Sequence, residues 1–218
     1  MMQATSNLLE AIKTAKKETA QRKFKQSMEL IINVKGVDLS KPENRFNEAV
    51  ELPNDLGSKR RKICVIASGN LAIQAGRIEG VQKVLGKEDL EALVGRKREA
   101  KKLAGQYDFF LVEPSMIGLA ARALGAALGS RGKNPIPIPP GQELEKLVKR
   151  YQNSVVISLR KVPQVSCLIG LADEDDEKLA RNAETVLNRV VEKLEKKMRN
   201  IGSVYVKATM GKPVKLQL

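Results

Sequence analysis

The spacing of apolar positions changes several times along this chain, and each change marks a predicted element. Leu8, Leu9, Ile12 and Ala15 recur at helical intervals, with Thr5, Ser6 or Asn7 available as N-cap. The period then falls to two. Met28, Leu30, Ile32 and Val34 alternate with Ser27, Glu29, Ile31 and Asn33, which predicts a strand with one face on a core. A second strand is predicted over 47–52, and Pro53-Asn54-Asp55-Leu56-Gly57 turns the chain.

From Ser58 onward the pattern differs. Lys59-Arg60-Arg61-Lys62 leads into Ile63-Cys64-Val65-Ile66-Ala67, a run apolar on both faces, as a buried parallel strand requires. Helices are predicted over 70–77 and 87–104, then a second buried run, Phe109-Phe110-Leu111-Val112. Pro114 opens a small-residue helix over 115–128, and a glycine- and proline-rich loop precedes a helix over 142–151. Strands alternating with helices predict an α/β layered unit around a parallel sheet.

After Asn153 the period returns to two. Val155, Ile157 and Leu159 form one strand and 164–171 a second, read together as a hairpin around Pro163. An acidic run at 173–177 opens the longest helix, whose stripe is Leu179, Ala183, Val186, Leu187, Val190, Val191, Leu194 and Met198. Strands over 203–208 and 214–218 close the chain. The two ends are alike and the middle differs. Residues 1–58 hold one helix and two strands, too little to bury a core alone. The predicted architecture is therefore an α+β split domain, an antiparallel sheet with two helices from 1–58 plus 152–218. An α/β three-layer domain, 59–151, is inserted into it. A double connection near Ser58 and Tyr151 permits hinge bending and restricts free rotation.

Composition narrows the chemistry. The 218 residues contain no His, which removes histidine bases, Ser-His-Asp and Cys-His catalysis, and His-ligated metals. Cys64 and Cys167 lie in apolar runs without CxxC spacing and read as buried thiols of a cytoplasmic protein. No run approaches the ~18 apolar residues of a membrane span. Lys plus Arg number 39 against 25 Asp plus Glu, a net charge of +14, which points to a polyanionic partner such as nucleic acid.

Few motifs carry more than this. The carboxylates at 173–177 lack EF-hand spacing and read as helix-start residues, so no metal is expected. Gly129-Ser130-Arg131-Gly132-Lys133 lacks the GxxxxGK spacing of a Walker loop, has Asn134 where Ser/Thr is needed, and runs into prolines. Arg131 and Lys133 read equally as secondary phosphate contacts or as solvated charge. Only Ser68-Gly69-Asn70 follows the strand at 63–67, so a nucleotide-using enzyme is disfavoured, and no cofactor is expected. A single-strand-coating protein would need exposed aromatic platforms, yet aromatics are 3 % of the chain. At the end of the chain, Val204 to Pro213 is a strand interrupted at Thr209-Met210-Gly211, where a glycine lets the backbone bend or meet another surface closely.

Phe24, the Leu52-Pro53-Asn54-Asp55-Leu56-Gly57 turn, the Gly129-to-Pro135 loop and Ser203-Val204-Tyr205-Val206-Lys207-Ala208-Thr209-Met210-Gly211 together resemble the large-subunit ribosomal protein L-one family, in its archaeal form. The resemblance runs in order along nearly the whole chain. It departs at Ser130, where the family commonly has proline, and at Lys212, where many bacterial members do.

That resemblance implies the same split fold, with an inserted α/β Rossmann-like three-layer domain, and a non-enzymatic, ribosome-bound protein of the cytoplasm. It implies a terminal domain that binds large-subunit ribosomal RNA, helps deacylated tRNA leave at the exit site, and represses translation of its own mRNA. The protein would be a monomer off the ribosome. Carried over by motif, the RNA-binding residues are Lys23, Phe24, Lys25, Ser27, Glu29, Thr209, Met210 and Gly211. A strand face of hydroxyl, carboxylate and backbone groups suits ribose 2′-hydroxyls, which tell RNA from DNA. Glu29 would have to accept from hydroxyl or amino donors, because a carboxylate repels phosphate. Lys23 and Lys25 would neutralise phosphates nearby.

Overall fold

The computed structural model describes residues 2–20 and 22–217, and the chain folds into two compact units, 1–60 with 153–218 and 61–152. In the first unit α1 (Met2–Lys17) is followed by β1 (Ser27–Val34) and β2 (Phe46–Glu51). In the inserted unit come β3 (Ile63–Ile66), α2 (Gly69–Arg77), β4 (Val81–Leu85), α3 (Lys87–Leu93), α4 (Lys97–Gln106), β5 (Phe109–Val112), α5 (Ile117–Gly129), β6 (Pro135–Pro137) and α6 (Leu144–Gln152). The chain then returns to the first unit with β7 (Ser154–Leu159), β8 (Gln164–Leu171), α7 (Asp176–Lys193), β9 (Ile201–Ala208) and β10 (Val214–Lys215).

The terminal unit is an antiparallel sheet of order β10-β9-β1-β8 with a separate ribbon, β2-β7. β1 lies between β8 and β9, so both of its neighbours come from the far end of the chain. Its even positions, Met28, Leu30 and Ile32, are fully buried against Leu8, Ile12 and Ala15 of α1 and the Leu179–Val190 stripe of α7. Period two on the strands and period 3.6 on the helices thus point at one core. Asn182 is buried within it: its Nδ2 donates to the Ile169 carbonyl at 2.8 Å, and its Oδ1 accepts from the Asn54 N–H at 3.0 Å.

The inserted unit is a parallel sheet of order β4-β3-β5-β6 with helices around it. β3 and β5 are buried at every position. Cys64, Ile66, Phe110 and Val112 pack with Leu90 and Leu124, while the ring of Tyr151 lies 5.1 Å from that of Phe109. Burial pushes the Cys64 thiol up to about 12, so it is an inert apolar packing group.

Several expectations are corrected. α1 starts at Met2, so Thr5, Ser6 and Asn7 lie inside it and none is its cap. The hairpin at Pro163 does not form a ladder: β7 pairs with β2 and β8 with β1. β4 escaped notice because this short edge strand, VQKVL, has only one buried residue and no alternation. The helix expected over 87–104 is two helices, because Gly95, at φ 83°, ends the first. α7 stops at Lys193, so Met198 is 50 % exposed outside the apolar stripe. The last strand ends at Lys215, so Leu216 and Gln217, expected in it, are not strand, and Leu218 lies outside the described residues.

Two stability outcomes follow. The Arg61 N–H donates to the Gln152 carbonyl at 3.0 Å, so the two connecting segments leave the inserted unit side by side. Replacing 61–152 with a short glycine linker should therefore leave a cooperatively folding terminal unit; a non-cooperative urea transition would contradict this. Asn182→Ala strands a buried carbonyl and N–H, and should cost about 2–3 kcal/mol of unfolding free energy in urea titration.

Candidate nucleic-acid interface

The Thr209-Met210-Gly211 segment meets the start of β1. The Thr209 N–H donates to the Ser27 carbonyl at 2.9 Å, and the Ser27 N–H donates to Thr209 Oγ1 at 3.1 Å. Thr209 Oγ1 in turn donates to the Ser27 carbonyl at 3.2 Å. The threonine hydroxyl therefore closes the β1–β9 ladder, and its single proton is already used. Outward it can offer a lone pair and a methyl group.

Gln26 is the residue that sequence reading missed. It is buried; its Oε1 accepts from the Met210 N–H at 3.2 Å and its Nε2 donates to the Ala20 carbonyl at 2.9 Å. Its own carbonyl accepts from the Ala172 N–H at 2.9 Å. One glutamine thus joins the end of α1, the β8–α7 connection and the Met210 turn. A lone glutamine before a strand has no pattern to betray it. Gly211 is needed for space: a β-carbon there would collide with Thr19 Oγ1 and crowd Ala208. Held this way, Met210 is 61 % exposed, and Phe24, two residues before Gln26, is 53 % exposed.

Ser27 and Glu29 share the strand face turned away from the helices, as expected. The register adds neighbours that the sequence alone could not supply. Lys207 stands opposite Glu29 on β9, Tyr205 opposite Ile31, and Asn33 Nδ2 donates to Ser203 Oγ at 2.9 Å. On the other side Leu168 stands opposite Glu29 and Ser166 opposite Ile31. The face is therefore a mixed polar sheet surface with a carboxylate beside an ammonium, suited to hydroxyl and amino groups as well as phosphates.

The flanking cations are partly neutralised. Lys25 Nζ lies 2.9 Å from Asp173 Oδ2, and Lys16 Nζ lies 2.6 Å from Asp176 Oδ1. Its hydrogen bond with Lys25 holds the Asp173 carboxyl below the usual range. Asp175 accepts from the Glu177 N–H at 3.1 Å and caps α7, as the acidic run suggested. Glu174 behaves oppositely. Burial pushes its carboxyl up, and its Oε1 has no partner among the described residues. Lys23 is exposed.

Arg131 and Lys133 belong to the inserted unit. Lys133 Nζ donates to the carbonyls of Ala104 and Tyr107 at 2.9 and 2.6 Å, bracing the end of α4, and burial lowers its pKa. It is thus a structural strut, which neither sequence reading anticipated. Arg131 Nη1 donates to the Ala127 carbonyl at 3.3 Å. Ligands of open α/β sheets bind where strand order reverses, here between β3 and β5. Glu113 fills that place: it accepts from Ser68 N–H and Oγ at 2.8 and 3.0 Å and from Ser115 Oγ at 2.7 Å. These bonds hold its carboxyl low. A phosphate there would face a fixed negative charge. Among the described residues there is no cluster of three or more His, Cys, Asp or Glu able to hold a metal, and no helix long and apolar enough to cross a membrane.

The family model of the ribosomal protein L1p/L10e family matches residues 15–212, which include both strands of this interface and the whole inserted unit. The chain belongs to that family. Among its relatives, it is 44 % identical over 209 residues to large ribosomal subunit protein uL1 of Methanothermobacter thermautotrophicus, covering 96 % of this chain and 98 % of the relative. It is 43 % identical over 214 residues to the uL1 of Thermofilum pendens, covering 98 % and 94 %, and 44 % identical over 211 to that of Thermococcus kodakarensis, covering 96 % of each. The archaeal resemblance seen in the sequence therefore holds over nearly the full length, and the L1 fold is a split α+β unit with a parallel-sheet unit inserted.

Glu174 yields a pH prediction. Its folded pKa is raised, so its contribution to stability is full while it is protonated and is lost as pH rises through that pKa. Glu174→Gln should raise the melting temperature near neutral pH. The gain should vanish below the ordinary glutamate pKa of about 4.3, as calorimetry at both pH values would show.

Proposed function

We propose that the terminal unit of this chain binds a shaped segment of large-subunit ribosomal RNA through the rim of Phe24, Ser27, Glu29, Thr209, Met210 and Gly211, with Lys23 and Lys25 at its edge. The observation that carries this reading is the reciprocal bonding of Thr209 with Ser27. It locks two segments from opposite ends of the chain into one surface and leaves Met210 and Phe24 bare beside it. Exposed apolar side chains beside hydroxyl, carboxylate and ammonium groups suit ribose and base edges, which a purely cationic patch would not read.

Family membership and the names of the archaeal relatives support a place in the large ribosomal subunit, hence a cytoplasmic, ribosome-bound and non-enzymatic protein. From the family resemblance we extend this to the side protuberance, where the protein would aid release of deacylated tRNA. The same surface would take a similarly shaped segment of its own mRNA, in leader or coding region, and so repress translation. A single copy suffices for each role, since the surface is complete within one chain. The inserted unit would add weak basic contacts through exposed groups such as Arg131.

The deciding experiment is competition binding of the full chain to large-subunit ribosomal RNA fragments at two salt concentrations. One fragment should be preferred, and the preference should survive added salt, whereas binding by bulk charge would fade with salt for all fragments alike. Met210→Ala should weaken that fragment by about 1–2 kcal/mol with an unchanged melting temperature, because its side chain is bare in the free protein. Thr209→Val should lower both affinity and melting temperature. Parental affinity in both variants would exclude this surface.

A further inference from the structure

Beside Phe24 lies an open pocket of about 300 Å³ to which no role has been given. Its walls are mainly apolar: the Phe24 ring, Ala20 beyond the end of α1, and Ala172 between β8 and α7. Asp173 stands at its edge with Lys16, Arg22 and Lys25. Phe24 is one of four phenylalanines in the chain and is more than half exposed.

We infer that this pocket receives one unstacked nucleobase of the bound RNA, with the base on the Phe24 ring and its amino edge toward the Asp173 carboxylate. The inference rests on the RNA-binding reading above and names a subsite within it. The charges argue for a base over a phosphate. Lys16 is already paired with Asp176 and Lys25 with the Asp173 carboxylate, so two of the three cations are compensated and draw a phosphate only weakly. That carboxylate accepts hydrogen bonds and so favours adenine, cytosine or guanine, whose edges carry amino groups, over uracil. The volume is at the lower limit of small-molecule sites and suits a single heterocycle. Aromatic side chains beside hydrogen-bonding edges are the usual means of holding unpaired RNA bases.

The test uses the full chain and the ribosomal RNA fragment it prefers in the competition assay. Each unpaired nucleotide is replaced in turn by an abasic one, which keeps the sugar and phosphate. One position should cost the parent protein about 10- to 100-fold in affinity, the usual worth of one stacked base. Ala20→Trp, an exposed position whose indole would fill the pocket, should bind the intact fragment more weakly by a similar factor and be indifferent to that abasic site. Should Ala20→Trp melt at lower temperature, Phe24→Ala replaces it, with the same expected loss of affinity and of sensitivity. Tolerance of every abasic position, or equal sensitivity in parent and variant, overturns the pocket while leaving RNA binding intact. Loss of any preference among fragments overturns both readings.

Discussion

The structure depends on one pairing constraint: each N-terminal strand of the terminal unit finds its partners only in the C-terminal segment. β1 pairs with β8 and β9, and β2 pairs with β7. Neither segment can satisfy its backbone alone, because an unpaired strand in a core leaves N–H and C=O groups without partners. The central strand is laid down early and its neighbours last. Contacts of such sequence separation have to wait for loop closure across the intervening chain. The inserted unit, 61–152, sits inside that loop and has its own buried strands, so it shortens the closure by bringing Arg61 and Gln152 within a hydrogen bond.

The same constraint assembles the proposed interface. Ser27 begins β1 and Thr209 follows β9, so antiparallel pairing brings them together at one end of the sheet. Gln26 and Gly211 then hold the adjoining turns, one by hydrogen bonds and the other by having no side chain. Electrostatics shape the result further. A chain of net charge +14 could bind any polyanion, yet two of the cations beside this surface, Lys25 and Lys16, are met by Asp173 and Asp176. In the proposed interface, compensated charge would weaken indiscriminate phosphate binding and leave shape and hydrogen bonding to discriminate. In the inserted unit Glu113 has a comparable effect, occupying the donors that a nucleotide phosphate would use.

Elements with strong periodicity were legible in the sequence. Alternation located β1 and β8, the apolar runs located β3 and β5, and the stripe located α7 although it ran past the helix end at Lys193. Strand pairings, and elements that exist only through them, were not. β4 survives on its pairing with β3, and β7 joins β2 although its chain neighbour β8 is adjacent in sequence. Lys133 read as a phosphate contact or as solvated charge because sequence shows only its charge; the carbonyls of Ala104 and Tyr107 that engage it come from a different element.

By itself the sequence determined the alternation of patterns, the absence of histidine chemistry, the basic charge and the family resemblance, since each depends on residue type and local spacing. Only the tertiary structure decided that Thr209 spends its proton on Ser27, that Gln26 joins three segments, and that Asp173 neutralises Lys25. These contacts join groups separated by well over a hundred residues in the chain. Hydrogen bonds and ion pairs act over a few ångströms, so they exist only after folding has brought those groups side by side.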